Sequence, residues 1–238
     1  MNPPEIILLG HHKIGPLPPH GWASWYYVPT ETFAAQLRWL REHGYAYLDL
    51  KTFLNGLDRP ETLPAKSVLI TFDDGYRSLL HHGLPEMEAV GCPGVVFVPT
   101  SYIGKTNTFD DGKEPEEAIC SWEELAELEQ RGIAVQSHGL THRPFSTLSP
   151  EELDAEIGTS KQRIEQRLAR PVELFSFPYG DNTQNPDAVE TLLRQHRYRA
   201  ACLYGGHPQA FPTPNPFRLT RIALGTDTNL AEVLQKRS

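Results

Sequence analysis

Short apolar runs rich in β-branched residues alternate along the chain with stretches whose apolar residues recur every three to four positions. Ile6–Leu9, Ser67–Phe72, Gly94–Val98, Ile133–Gln136, Glu173–Phe177 and Arg199–Leu203 read as strands, with Tyr45–Leu48 a weaker one and Phe217–Leu224 the last. Between them, Phe33, Leu37 and Leu40 share one helical face, and Gly44 follows as a stop. A helix is expected over Tyr76–Val90. Ser121 and Glu124 form a capping box that opens another helix, ending near Arg131. Ser149, Pro150 and Glu152 combine an N-cap with a first-turn proline ahead of a long helix. Asn185 and Pro186 open the next one, and Asp227 is the expected cap of a final helix.

Seven or eight strands separated by helices imply a parallel sheet. So many β/α units in one chain favour a closed barrel over an open doubly wound sheet, and no G-x-G-x-x-G follows any strand. The fold expected is a single α/β domain over residues 1–238, a (β/α)7–8 barrel. Its longest loops, Gly10–Thr30, Thr100–Cys120 and Tyr204–Asn215, all follow strands, the side of a β/α barrel that carries chemistry.

Composition narrows the function classes. The net charge is −8 and there is no basic run, which argues against nucleic-acid binding. Cys92, Cys120 and Cys202 are far apart, so neither a zinc ribbon nor a disulfide framework is expected. No apolar run approaches the ~20 residues of a membrane span. The opening M-N-P-P-E lacks the basic region of a signal peptide, so the cytoplasm is the expected compartment unless a leader was removed.

Ionisable residues stand just after the strands. Asp73 and Asp74 follow Ser67–Phe72, His138 and His142 follow Ile133–Gln136, Pro178 and Tyr179 follow Glu173–Phe177, and His11 and His12 follow Ile6–Leu9. Two histidines and a carboxylate suffice to bind a divalent ion with a position left open. An adjacent carboxylate pair suits a split role, one member on the metal and the other free as a base. Each piece alone is common as a turn or a surface group. Asp110, Asp111 and Gly112 repeat the D-D-G triplet with no strand before it and read as a turn.

Taken together, T-F-D-D-G-Y (71–76), S-H-G-L-T-H (137–142) and F-S-F-P-Y-G (175–180) resemble the first three motifs of the NodB-type polysaccharide deacetylases, carbohydrate esterase family 4. G-H-H-K-I-G (10–15) is similar to the Y-H-x-I opening of the subgroup that includes poly-N-acetylglucosamine deacetylases, with His11 in place of tyrosine. The resemblance implies a distorted barrel and a metal-dependent N-deacetylase that yields a free amine and acetate. It assigns Asp74, His138 and His142 to one divalent ion, zinc first, with cobalt, nickel or manganese as alternatives. It makes Asp73 the catalytic base and gives the Tyr179 backbone N–H to the oxyanion. The implied partner is a carbohydrate; no nucleic acid and no membrane span are expected.

Two departures from the family pattern stand out. Ser176 replaces the arginine that orients the base in many members, and L-T-R-I (219–222) stands where a late histidine donates a proton to the amine. Asp73 must therefore be held by some other group. His12 is the first candidate for the acid and His207 the second; His81 and His82, in the helix after the first motif, are expected to be bland. Trp25 and Tyr26, with Tyr27, form an aromatic cluster suited either to a sugar face or to loop packing, and Pro178 joins them as a substrate-contact candidate. Trp122 and Phe145 carry the same ambiguity. A deformylase or other small-amide hydrolase, a non-catalytic carbohydrate-binding relative and a non-haem iron oxygenase are the alternative readings.

Overall fold

The computed structural model describes residues 4–18, 24–183, 185–207 and 209–235. In chain order the elements are β1 (Glu5–His11), β2 (Lys13–Ile14), β3 (Tyr27–Val28), α1 (Thr30–Glu42), β4 (Ala46–Tyr47), α2 (Leu50–Asp58), β5 (Lys66–Phe72), α3 (Leu84–Val90), β6 (Gly94–Val98), α4 (Trp122–Gln130), β7 (Ile133–Ser137), α5 (Pro150–Leu168), β8 (Leu174–Ser176), α6 (Pro186–Gln195), β9 (Ala200–Cys202), β10 (Gln209–Ala210), β11 (Ile222–Ala223) and α7 (Leu230–Gln235).

The main sheet runs β10-β1-β5-β6-β7-β8-β9, parallel throughout except for the antiparallel β10. The stretch 219–224 draws its two sides together. Leu219 bridges Cys202 of β9, while β11 pairs in parallel with β1 through Leu9↔Ile222 and Gly10↔Ala223. The result is the expected distorted β/α barrel.

Side chains alternate across the strands as the pleat requires. Ile7, Leu9, Val68, Ile70, Phe72, Val96 and Val98 face the surrounding helices. Ile6, Leu8, Leu69, Val95, Phe97, Leu174, Ala200, Cys202 and Leu219 fill a second cluster inside the barrel, where Phe53 and Leu54 of α2 join them. The same parity carries upward. Thr71 and Asp73 continue the inward series of Leu69, and Arg221 continues that of Leu219. Gly10 and Ser176 are small where the neighbouring inward positions are large. A side chain on Gly10 would approach the Tyr204 ring at 3.3 Å and Arg221 Cβ at 3.7 Å.

The helix expected after the first motif forms, running over 77–90 with a wider turn at Leu79–Gly83 that leads into α3. Two local expectations are corrected. The stretch 217–224 is not one strand: a tight turn over Pro216–Arg218 precedes the short β11. Asp227 does not cap α7. Asn229 accepts the Glu232 N–H there, while Asp227 accepts the Trp25 indole N–H at 2.7 Å. Both capping boxes form as read. The three cysteines are free and buried. No helix among the described residues is long and apolar enough to cross a membrane.

Candidate active site

The carboxyl ends of β1, β5, β7 and β8 meet the closing segment at one mouth of the barrel. Asp74, His138 and His142 converge there, each offering one ligand atom within 4.8 Å of the others. Asp74 Oδ1 stands 3.0 Å from His142 Nε2 and 3.5 Å from His138 Nε2. All three residues are buried, yet Asp74 Oδ1 has no hydrogen-bond partner of acceptable alignment. His138 Nδ1–H donates to the Ser176 carbonyl at 2.7 Å, which fixes the tautomer and leaves the Nε2 lone pair facing the other two residues. Burial lowers the His138 imidazole to about 4, so it is neutral, the ligating form. Burial also opposes charge on His142, but the Asp74 carboxylate beside it outweighs this and moves it upward. For Asp74 itself, burial is outweighed by His142, His12 and His138, and its carboxyl lies far below the usual range. An orphaned buried oxygen and two imidazole nitrogens aimed at one point form a donor set suited to a divalent cation.

The local backbone is unusual where these side chains are placed. Asp74, His142 and Tyr179 are non-glycine residues with φ of 69°, 57° and 59°. Each such conformation costs of order 1–3 kcal/mol and persists only where the surroundings impose it. At the first motif, Gly75 also has φ 71°, and a Cβ there would stand 2.7 Å from Val98 Cγ1, so glycine is required. At the second, Glu156 of α5 accepts the Leu140 N–H at 2.5 Å, the Thr141 N–H at 3.0 Å and the Thr141 hydroxyl, holding the turn that presents His142.

Asp73 points into the barrel and meets Arg221, the residue that takes over from the arginine missing at Ser176. Arg221 Nη1 and Nη2 donate to the two Asp73 oxygens, each at 2.7 Å. The remaining donors reach Thr71 Oγ1 at 3.1 Å, Ser176 Oγ at 2.8 Å and the Leu203 carbonyl at 2.9 Å. All five guanidinium N–H groups are thereby used. Burial alone would raise the Asp73 carboxyl; the Arg221 charge and hydrogen bonds, with His138, outweigh it and hold the carboxyl below its ordinary value. Sequence reasoning missed Arg221. The signal was available in the alternation of Leu219, Thr220, Arg221 and Ile222, which puts a cation at an inward position that demands a buried anion.

His12 also lies at this mouth. Its Nε2 is 4.0 Å from Asp74 Oδ2 and its Nδ1 is 3.3 Å from the Tyr204 hydroxyl. Burial lowers its pKa against the pull of Asp74 and Asp73. The adjacent His11 has the opposite parity and packs outside the barrel against Phe33 and Phe72. His207 is exposed in its loop, its carbonyl accepting the Thr220 hydroxyl. His81 and His82 belong to the wide turn before α3.

A cavity of about 260 Å³ opens over Asp73, Asp74, His138 and His142, and Tyr26, Tyr179 and Tyr204 line it. Trp25 and Pro178 do not. Trp25 is anchored by its bond to Asp227, with its ring 5.7 Å from Tyr26, and Pro178 is buried beneath the site. Phe145 belongs to the hydrophobic core, and Trp122 packs against that core under Arg167. The D-D-G copy at 110–112 is a turn, as read, but it is not remote: Asp110 lines the cavity. The loop 100–120 folds back over the mouth, tied by Ser101 N–H to the Leu140 carbonyl and Cys120 N–H to the Gly75 carbonyl, both 2.9 Å. Glu114 of this loop pairs with the buried Lys13 at 2.9 Å, and the Tyr27 and Tyr76 rings flank that ammonium.

The polysaccharide deacetylase family model matches residues 61–201. YxkH of Bacillus subtilis is 28% identical over 153 residues, covering 64% of this chain and 51% of that one; this chain thus spans about half of that relative's length. The poly-β-1,6-N-acetyl-D-glucosamine N-deacetylase of Staphylococcus epidermidis is 24% identical over 216 residues, 85% of this chain and 69% of that one. In fold, the chain resembles the Streptococcus pyogenes deacetylase PplD, solved with acetate (TM-score 0.84, 20% identity, all of both chains covered). IcaB from Ammonifex degensii is similar (TM-score 0.80, 21% identity, 99% and 96% covered). With its motifs gathered at one barrel mouth and more than half of its length matched by the family model, this chain belongs to the polysaccharide deacetylase family.

Proposed function

We propose that the protein hydrolyses N-acetyl groups of amino sugars within oligo- or polysaccharides, releasing acetate, and that Asp74, His138 and His142 hold a divalent ion, zinc foremost. The observation that carries this reading is the division of the carboxylate pair. Asp74 turns to two imidazoles while Asp73, its neighbour, turns inward to Arg221 and stays ionised. When bound, such an ion polarises the acetamide carbonyl and acidifies the attacking water. Asp73 takes a proton from that water. His12, which lines the same cavity with its Nε2 4.0 Å from Asp74 Oδ2, gives a proton to the departing nitrogen. The Tyr179 backbone N–H supports the oxyanion that forms between these steps. Tyr26 and Tyr204 offer ring faces to the sugar from the cavity wall. The name of the staphylococcal relative agrees with an acetylated amino sugar as the substrate class.

The test is acetate release from N-acetylglucosamine oligomers by the purified protein, before and after chelation and after zinc is restored. Release that chelation abolishes and zinc restores is expected. Full activity in the chelated protein would overturn the metal assignment, and no release from any oligomer would overturn the substrate class.

A further inference from the structure

We propose that Asp110 is a specificity-determining residue of this site, a carboxylate that accepts hydrogen bonds from ring hydroxyl groups of the sugar that carries the acetamide. The inference rests on the N-deacetylase reading above and adds a residue that lies outside the sequence motifs.

The backbone around Asp110 is fully engaged. Its N–H donates to the Asn107 carbonyl at 2.9 Å, and its own carbonyl accepts from Lys113 N–H at 2.9 Å and Glu114 N–H at 3.1 Å. The loop is fastened on both flanks, by the Cys120 and Ser101 bonds to the two metal-site turns and by the Glu114–Lys13 pair. The side chain is the part left over. It is half-buried in the wall of the cavity, and it makes no ion pair among the described residues. Its only side-chain hydrogen bond there is a long one, accepted from the Tyr179 hydroxyl at 3.4 Å. An ionised carboxylate can accept about four hydrogen bonds. Here it is partly withdrawn from water with nearly all of that capacity unspent, an unfavourable arrangement unless a ligand supplies donors.

The surroundings say which donors. Phe109, the preceding residue, packs tilted against His142 with ring centroids 4.1 Å apart, and the Tyr179 ring meets His142 edge-on at 4.7 Å. Aromatic rings beside an acceptor with most of its capacity unspent match a pyranose, which has an apolar C–H face and a rim of hydroxyl donors.

The experiment compares methyl N-acetylglucosaminide with its 3-, 4- and 6-deoxy analogues on the wild type, Asp110→Ala and Asp110→Asn, by acetate release and by calorimetric binding. A hydrogen bond to a charged acceptor carries roughly a 10- to 100-fold effect. In the wild type at least one deoxy analogue should lose that factor in kcat/KM. Asp110→Ala should lose it for the parent sugar and lose nothing further for that analogue. Asp110→Asn, which keeps the shape and one acceptor oxygen, should fall between and guards against a misfolded alanine variant. Equal slowing of the parent and all three analogues by Asp110→Ala overturns the proposal while leaving the deacetylase reading intact. If the wild type releases no acetate from any of them, that reading fails for this sugar, and binding decides the proposal. Non-additive loss of affinity between Asp110→Ala and one deoxy position supports it; additive or absent loss overturns it.

Discussion

Replacing Arg221 with methionine removes five hydrogen-bond donors and one charge from the barrel interior and leaves Asp73 buried without its counter-charge. In the wild type the folded-state pKa of Asp73 is depressed, so its contribution to stability is present above the ordinary carboxylate range and disappears as pH falls through the lower folded value. In the variant burial is opposed only by His138 and His12, and with the Arg221 charge and hydrogen bonds gone the sign is expected to reverse. Asp73 then binds its proton more tightly folded than unfolded, and stability falls as pH rises through the raised value. Breaking a buried pair by removing one partner typically costs about 3–5 kcal/mol when the orphan stays charged. The loss should therefore be large at pH 8 and shrink toward pH 5, where protonation relieves it. Each unit of upward shift is worth about 1.4 kcal/mol, and it moves the acid limb of kcat/KM up by one unit. Urea unfolding at the two pH values, with a pH–rate profile of acetate release at fixed zinc concentration, measures both. Equal destabilisation at pH 5 and pH 8 together with an unmoved acid limb would show that Arg221 merely packs, and would refute the assignment of Asp73 as the group it controls.

Four further outcomes are expected. The His138→Ala/His142→Ala variant should lose both stoichiometric zinc, measured by elemental analysis, and activity; full metal occupancy in it would overturn the metal site. Asp73→Asn should retain the ion and lose activity by roughly 10²–10⁴-fold; near-normal turnover with the metal bound would reassign the base. His12→Ala should slow amide hydrolysis much more than hydrolysis of an activated acetyl ester, whose leaving group departs without a proton, and equal slowing of the two would exclude proton donation. Glu156→Ala releases the turn that presents His142, so it should weaken zinc affinity by roughly 10–100-fold while Asp73 stays ionised; competition with a chromophoric chelator reads the affinity, and an unchanged value would mean that the turn holds itself.

The strands of the barrel were legible because each buried run carries its own local pattern. β6, for instance, coincides with Gly94–Val98 as read. The metal-site candidates were legible for the same reason, since each follows such a run within a few residues. What escaped depends on contacts between distant segments. Arg221 stands just before the two-residue β11, between its pairing with β1 and the Leu219 bridge to β9, and its bond to Asp73 spans 148 positions. Asp110 looked like an ordinary turn and is one. Only the return of loop 100–120 over the mouth, through backbone bonds that any residue could make, gives its side chain a role. Trp25, read as suited either to a sugar face or to loop packing, has its indole N–H on Asp227 and lies outside the cavity lining.

The segment 219–224 joins the two sides of the barrel and also supplies the counter-charge of Asp73. During synthesis, then, every residue of the metal-site motifs leaves the ribosome well before Arg221 does. A nascent chain that ends short of this segment has its carboxylate pair in place with no guanidinium between them and the apolar interior, and β1 lacks the partner offered by β11. The chain accordingly closes its barrel and gives the buried Asp73 its counter-charge in the same late step.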